Sequence, residues 1–146
     1  APLMTWREAL LQPGAFHMGI GKRLIESRPI PGRRPDEAFL VPSEAVPGAA
    51  HARLVAVREI SGAYAMVYQP ESRAFDVRLD RISGAAVNVW RIDPRSGAMA
   101  KLGTYPTKGV QRFCPPMRGE RLDWVYVFDD ASHDWSAPGV LGCRNS

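Results

Sequence analysis

Between about Ala52 and Asp130 the chain is a series of short apolar segments separated by turn signals, and that pattern leaves little room for anything but antiparallel β structure. Phe75, Val77 and Leu79 alternate with Asp76, Arg78 and Asp80, the period of a strand with one face buried. Leu122, Trp124, Tyr126 and Phe128 repeat the alternation, with Val125 and Val127 on the other side. Ala85–Ile92 is apolar on both faces, which predicts an interior strand. Ala52–Ile60 and Ala63–Tyr68 flank Ser61-Gly62 as a hairpin. Asp93-Pro94-Arg95-Ser96-Gly97 predicts a tight turn: the Asp accepts backbone hydrogen bonds, Pro pre-sets φ, and Gly takes a positive φ. Met99–Tyr105 and Val110–Cys114 complete about seven or eight strands, the pattern of an antiparallel β-sandwich.

Residues 1–40 differ in character. Thr5 and Glu8 form a capping-box pair, and Pro13-Gly14 predicts the stop of a first short helix. A second helix is expected from about Ala15 to Ser27. Phe16, Ile20 and Leu24, joined by Met18 and Ile25, give it an apolar stripe. Pro29, Pro31 and Pro35 then predict an extended connector. The segment is too short to build its own core, so its stripe must pack on the β body or on something else. The expected organisation is a helical segment over 1–40, a sandwich over 41–130 and a tail over 131–146. The head reads as the end of a larger domain, and the Ala-Pro start as a processed product.

Composition narrows the function classes. The net charge of +4 is mild, and the basic residues of the head are interrupted by Glu8, Glu26, Asp36 and Glu37, so a nucleic-acid stripe is not expected. No apolar run has the length of a membrane span, and no signal peptide is visible. Cys114 and Cys143 are too few for a disulfide scaffold. They either form one bridge holding the tail or stand as two thiols. The Gly-, Pro- and Ser-containing tail favours the bridge, which would place the protein in an oxidising compartment.

The ordered segments Ser61–Tyr68, Phe75–Leu79, Val89–Gly97, Phe113–Pro116 and Asp123–Asp130 resemble the family named putative collagen-binding C-terminal domain. That resemblance implies a β-sandwich placed after a (β/α)8 barrel of the apiosidase-like glycoside hydrolase type. Trp6, Ala9-Leu10, Pro13-Gly14-Ala15, Met18, Glu26–Pro29 and Pro35-Asp36 look like the last helix and exit loop of such a barrel. The presumed catalytic carboxylates of that architecture lie on barrel strands, and none maps onto this chain. The resemblance also implies a bacterial, secreted or periplasmic setting.

No catalytic constellation is visible, and no metal site or cofactor is called for. Asp123, Asp129, Asp130 and Asp134 are close in sequence but read as strand-end and turn residues. His17, His51 and His133 are scattered. Ser61 and Ser83 precede Gly in hairpins rather than in a nucleophile elbow. Trp90 and Trp124 lie mid-strand and are expected in the core. Tyr105, Trp135 and Arg95 are the expected ligand contacts, and Trp6, Leu10, Phe16, Ile20 and Leu24 the expected partner interface. Two readings follow. One is a non-catalytic module or small subunit packed on a (β/α)8 barrel and shaping its sugar cleft. The other is an autonomous module binding collagen or polysaccharide, which requires an exposed aromatic row.

Overall fold

The computed structural model of the protein describes Glu8 and residues 13–42, 53–117 and 122–139. Among the described residues, helix α1 (Pro13–Glu26) precedes the strands β1 (Arg33–Pro35), β2 (Val55–Glu59), β3 (Tyr64–Gln69), β4 (Phe75–Arg78), β5 (Ala86–Ile92), β6 (Met99–Pro106), β7 (Val110–Phe113) and β8 (Trp124–Asp130). The fold is mainly β and antiparallel, as the alternation predicts. Six strands form one sheet in the order β1-β2-β3-β8-β5-β6, and β4 pairs with β7 as a separate ribbon. β5 is interior, between β8 and β6.

The two faces of the large sheet have different partners. Ala65 and Val67 of β3, Val87 and Val89 of β5, and Tyr126 and Phe128 of β8 point to one face, where they meet Phe75, Val77 and Phe113 of the ribbon. Edge-to-face rings lock this layer: Phe75 on Tyr126 at 4.8 Å and Phe113 on Phe128 at 5.4 Å between centroids. On the opposite face Tyr64, Met66, Ile92 and Val127 receive Leu24 of α1. Ile20, one turn earlier, lies against Gly97 in the β5–β6 turn.

Several sequence expectations shift in instructive ways. Pro13 begins α1, where its missing N–H costs nothing. The first helix expected from Thr5 lies outside the described residues except for Glu8. The proline-rich connector is extended as expected, but part of it is recruited as edge strand β1, paired with β2 from Arg33↔Glu59 to Pro35↔Val57. Pro35 is tolerated there because an edge strand has one side free of ladder bonds. Phe39 is fully buried in the core shared with Phe128. The packed β unit therefore starts before residue 40. Leu79, expected to end a strand, instead begins a 3₁₀ turn over Leu79–Arg81.

What fastens α1 to the sheet is a buried ion pair. Arg28, just past the helix, donates from Nε and Nη2 to the two carboxylate oxygens of Asp129 at 2.9 and 2.6 Å. Their side chains are 1% and 4% exposed. Arg28 also donates to the carbonyls of Ser27 and Ser136 and lies over the Trp135 ring at 5.1 Å. Burial raises the Asp129 carboxyl above its ordinary value, against the opposing pull of Arg28; the two parallel N–H···O contacts are those of a bidentate guanidinium–carboxylate pair. Beside it, Arg33 of β1 donates to the Tyr64 hydroxyl at 2.7 Å and to the Ile25 carbonyl at 2.9 Å, closing the helix C-terminus onto the sheet. The neighbouring Asp130 accepts from Ser83 Oγ at 2.6 Å and from Ser132 N at 2.9 Å, so it caps the turn after β8. Gly84 sits so close to it that any β-carbon there would lie 2.3 Å from Asp130 Oδ1.

Two predictions follow from these contacts. Arg28→Ala strands Asp129 as a buried unpaired charge and is expected to cost about 3–5 kcal/mol in urea unfolding. Arg112→Ala, which breaks the surface pair with Asp76, should lose far less; similar losses for the two variants would show that the buried pair is not the fastening. The second concerns acid. Burial opposes ionisation of Asp36, but the hydrogen bonds and charges of Arg58 and Arg81 outweigh it and hold the carboxyl below its ordinary value. Asp130 is lowered in the same way, its burial outweighed by Ser83 and Ser132. Both groups bind protons less readily folded than unfolded, so their stabilisation is complete above about pH 4 and is lost as the pH falls further. Asp129, held high by burial, contributes with the opposite sign. Asp36→Asn and Asp130→Asn should each flatten the fall in stability between pH 6 and pH 3, measured by thermal unfolding across that range.

Candidate functional site

Two surfaces carry chemistry beyond packing. The first is the outer side of α1. The apolar residues of this helix do not form one stripe; they divide between two faces. Ile20 and Leu24 are buried against the chain's own sheet at 5% and 6% exposure, so these two expected partner-interface residues are internal. Met18 and Ile25 point the other way and are 78% and 48% exposed. Gly21 lies between them at helical spacing, with nothing within 4 Å of the position a β-carbon would occupy. Ile30, just beyond the helix, is also exposed. Lys22 and Glu26 pair beside this strip at 3.9 Å. The other expected interface residues, Trp6 and Leu10, lie outside the described residues, as does the side chain of Phe16.

The second surface is the end of the sandwich where β3 and β5 finish and β8 begins. Trp124, nearly buried, is flanked by two guanidinium groups, Arg91 at 5.2 Å and Arg95 at 5.3 Å from its ring centroid. Its indole N–H donates to Ser72 Oγ at 3.1 Å, and Ser72 in turn donates to the Met117 carbonyl. Arg95 is folded back from the turn tip: its Nε donates to Asp93 Oδ1 at 2.8 Å, and Asp123 lies 3.9 Å away. Asp93 also accepts from the Arg95 backbone N–H, and its carboxyl is held low because these bonds and the Arg95 charge outweigh its burial. Asp123 accepts from the Tyr68 hydroxyl at 3.3 Å. Burial and then the Asp123 charge push the Tyr68 phenol up. Deeper in, the Tyr126 hydroxyl is buried beside Arg91 without a well-formed hydrogen bond. Burial pushes its phenol up to about 12 against the opposing pull of Arg91. The Gln69 side-chain carbonyl is likewise buried without a partner, while its amide donates to the Arg73 carbonyl.

The expected ligand contacts fare differently. Tyr105 is half-buried and turned onto the core, edge-on to Phe113 at 5.4 Å. Trp135 is half-buried too, stacked on His133 at 4.5 Å, beneath Arg28 and edge-on to Tyr64. Neither ring is an open platform. Arg95 does reach a polar surface, but as part of the Trp124 cluster rather than as a free turn-tip charge. Asp129 and Asp130 are spent on the ion pair and the turn cap described above. Among the described residues no group of acidic, His and Cys side chains is placed to hold a metal ion. Cys114 is exposed and unbridged among the described residues, and Cys143 lies outside them. The Arg91–Trp124–Arg95 arrangement escaped sequence reasoning because β5 and β8 are paired only by tertiary register, Arg91↔Tyr126. The local hint was one arginine just before a tight turn and a second within it.

Comparison with known proteins places this architecture. No curated protein matches the chain. A solved structure described as "Glycoside hydrolase" is 28% identical at a TM-score of 0.79, covering 91% of this chain and 29% of that one. A glycoside hydrolase family 5 protein from Bacteroides vulgatus ATCC 8482 is 26% identical at a TM-score of 0.79, covering 92% of this chain and 28% of that one. The chain thus spans less than a third of the length of the solved structures it matches. A family model matches residues 35–129, well over half of the chain, and with the sheet, ribbon and strand order in place the protein belongs to the family described as "Putative collagen-binding domain of a collagenase".

Proposed function

We propose that this chain is a non-catalytic accessory module of a glycoside-hydrolase-like protein. It docks through the outer face of α1 on a (β/α)8 catalytic barrel and borders one side of the sugar cleft. The barrel is either continuous with this chain or a separate subunit, and the setting is secreted or periplasmic. One observation carries the reading. The structural match to glycoside hydrolase chains covers 91% of this chain, whereas the family match covers only residues 35–129. The difference is larger than the residues after 129 can supply, so the shared unit includes much of the first 34 residues. The helical segment therefore travels with the β module within chains more than three times as long.

The physical argument agrees. A helix with apolar residues on opposite faces is suited to lie between two layers. The inner layer is this sheet. The outer strip of Met18, Gly21 and Ile25 offers a shallow apolar surface whose glycine allows close approach of a second element. An autonomous binding module would need an exposed aromatic row, and among the described residues Tyr68 is the only aromatic in the exposed set of large apolar side chains.

The test is light scattering with intact mass spectrometry on material isolated natively from the source cells. The expected result is a glycoside hydrolase barrel covalently continuous with this chain or bound to it stoichiometrically. If the barrel is separate, Met18→Glu with Ile25→Glu should weaken the complex by at least tenfold, since each buried apolar side chain contributes about 1.5–3 kcal/mol. If it is continuous, the same pair should loosen the two parts, read as a lower barrel melting temperature. Both residues are exposed in the isolated chain, so its own stability should change by about 0.5 kcal/mol or less. A lone 16.1 kDa monomer would overturn the docking reading.

A further inference from the structure

The sheet, like the helix above it, leaves apolar surface exposed. Val55 of β2, Tyr68 of β3 and Val125 of β8 stand directly opposite one another across the strands, and in the next rung Val57 faces Met66. Val57, Met66 and Val125 belong to the layer that receives Leu24, and period-two alternation puts Val55 and Tyr68 on the same face. Leu24 covers that face over β3, β8 and β5, through Met66, Val127 and Ile92. Toward β2 the cover runs out: Val55 and Tyr68 are 51% and 43% exposed.

Chain handedness settles which flank of α1 overlooks them. Ile20 lies against Gly97, at the end of the sheet where β2 begins, and Arg28 meets Asp129 at the other end, so α1 runs parallel to β2. The Asp36 N–H bonds the Ala56 carbonyl, toward β1, so the peptide groups of Val57, one residue on, point to β3. In a strand of L-residues running upward, a residue whose side chain faces the viewer directs its peptide groups to the right. Seen from α1 with β2 running up, β1 and β2 therefore lie to the left of β8. A right-handed helix rising over β8, with Ile20 and Leu24 turned to the sheet, carries Gly21, Ile25 and Met18 about 100–160° round from Ile20, on its left flank. The exposed residues of helix and sheet thus line one notch, with the flank of α1 as its wall and Val55, Val57 and Tyr68 as its floor.

The notch fits one helix. Packed helices lie about 8–10 Å apart, and strands about 4.8 Å apart. An axis one helix spacing to the left of α1 therefore lies two strands from β8, above β2, where the exposed side chains are. Gly21, with nothing within 4 Å of its β-carbon position, allows close approach to the wall. The Tyr68 hydroxyl donates to Asp123 at 3.3 Å, which holds the ring in the floor. A strand has no ladder to join here, because β2 already pairs with β1 on one side and β3 on the other; a helix satisfies its own backbone and needs only apolar contact. The notch is continuous with the α1 strip assigned to barrel docking, and a (β/α)8 barrel presents helices as its outer layer.

We propose that one helix of the catalytic barrel lies in this notch, alongside α1 and above β2, with small and aliphatic side chains turned toward Gly21, Ile25, Val55 and Tyr68. This rests on the accessory-module reading and adds to it the element that makes the contact and the sheet residues that receive it.

The experiment places the photo-cross-linker p-benzoylphenylalanine at one position at a time in the full protein within its native assembly: Val55, Met18 and, for reference, Val110, which is exposed on the ribbon across the sheet. Products are mapped by mass spectrometry. Cross-links from positions 55 and 18 should fall on one barrel helix, at residues three or four apart, and position 110 should not reach that helix. Val55→Lys with Tyr68→Lys should weaken binding of a separate barrel at least about tenfold, or lower the melting temperature of a continuous one, while Val110→Lys changes neither. The proposal is overturned if position 55 cross-links to a barrel strand or loop, to a second copy of this chain, or to this chain's own residues alone. Equal capture of the helix from position 110, or unchanged association in the Val55 and Tyr68 pair, likewise overturns it. If position 18 reaches the barrel and position 55 does not, the notch assignment fails and docking through α1 stands; if neither reaches it, both fail.

Discussion

The structure depends on one buried ion pair. Arg28 leaves the end of α1 and meets Asp129 near the end of β8, and the two-point contact ties the first described element of the chain to the last strand. Such a pair contributes little net energy compared with apolar packing of the same volume, because both groups must be taken out of water. Its effect is on specificity. A guanidinium with its acceptors fixed in a plane admits one placement of the helix exit. From that placement follow the entry of β1, the Arg33–Tyr64 contact, and the seat of Trp135 beneath Arg28.

The sheet then works as a wall with two different coverings. On one side the β4–β7 ribbon completes an aromatic-rich core; on the other a single helix covers part of the surface. A single helix can bury only the stripe it turns inward. The apolar residues on its outer side, Met18 and Ile25, have no use within the described chain. That surplus, together with a match that spans nearly all of this chain but under a third of each glycoside hydrolase chain, connects the fold to an accessory role. The polar end of the sandwich adds a second connection, since stacked arginines and a rim carboxylate sit where loops converge rather than within the packed layers.

Much of the fold was legible in the residues. Period-two alternation and turn chemistry are local properties, so seven of the eight strands and the Asp93–Gly97 turn could be placed with errors of a few residues. β1 was read only as an extended connector, because its recruitment depends on the neighbouring edge of β2. The site was less legible. Burial of Trp124 followed from its mid-strand position, and Arg95 stood out as a ligand contact, with Arg91 four residues before it. Their convergence on one indole depends on the pairing of β5 with β8, which are separated by more than thirty residues of chain. Tyr105 and Trp135 were expected to be open because strand ends and tails are generally exposed. Here Phe113 claims one ring, and His133, Arg28 and Tyr64 enclose the other.

The amino-acid sequence alone determined that this protein is an antiparallel β module with a helical head, because side-chain alternation and turn propensity act over a few bonds and need no distant partner. It also determined that α1 carries more apolar surface than a free helix can expose. Only the tertiary structure decided which apolar residues face inward, that Asp129 and Asp130 are structural, and that Arg91 and Arg95 converge on Trp124. Those outcomes depend on strand order and register, where residues far apart in the chain compete for the same buried volume and the same few hydrogen-bonding partners.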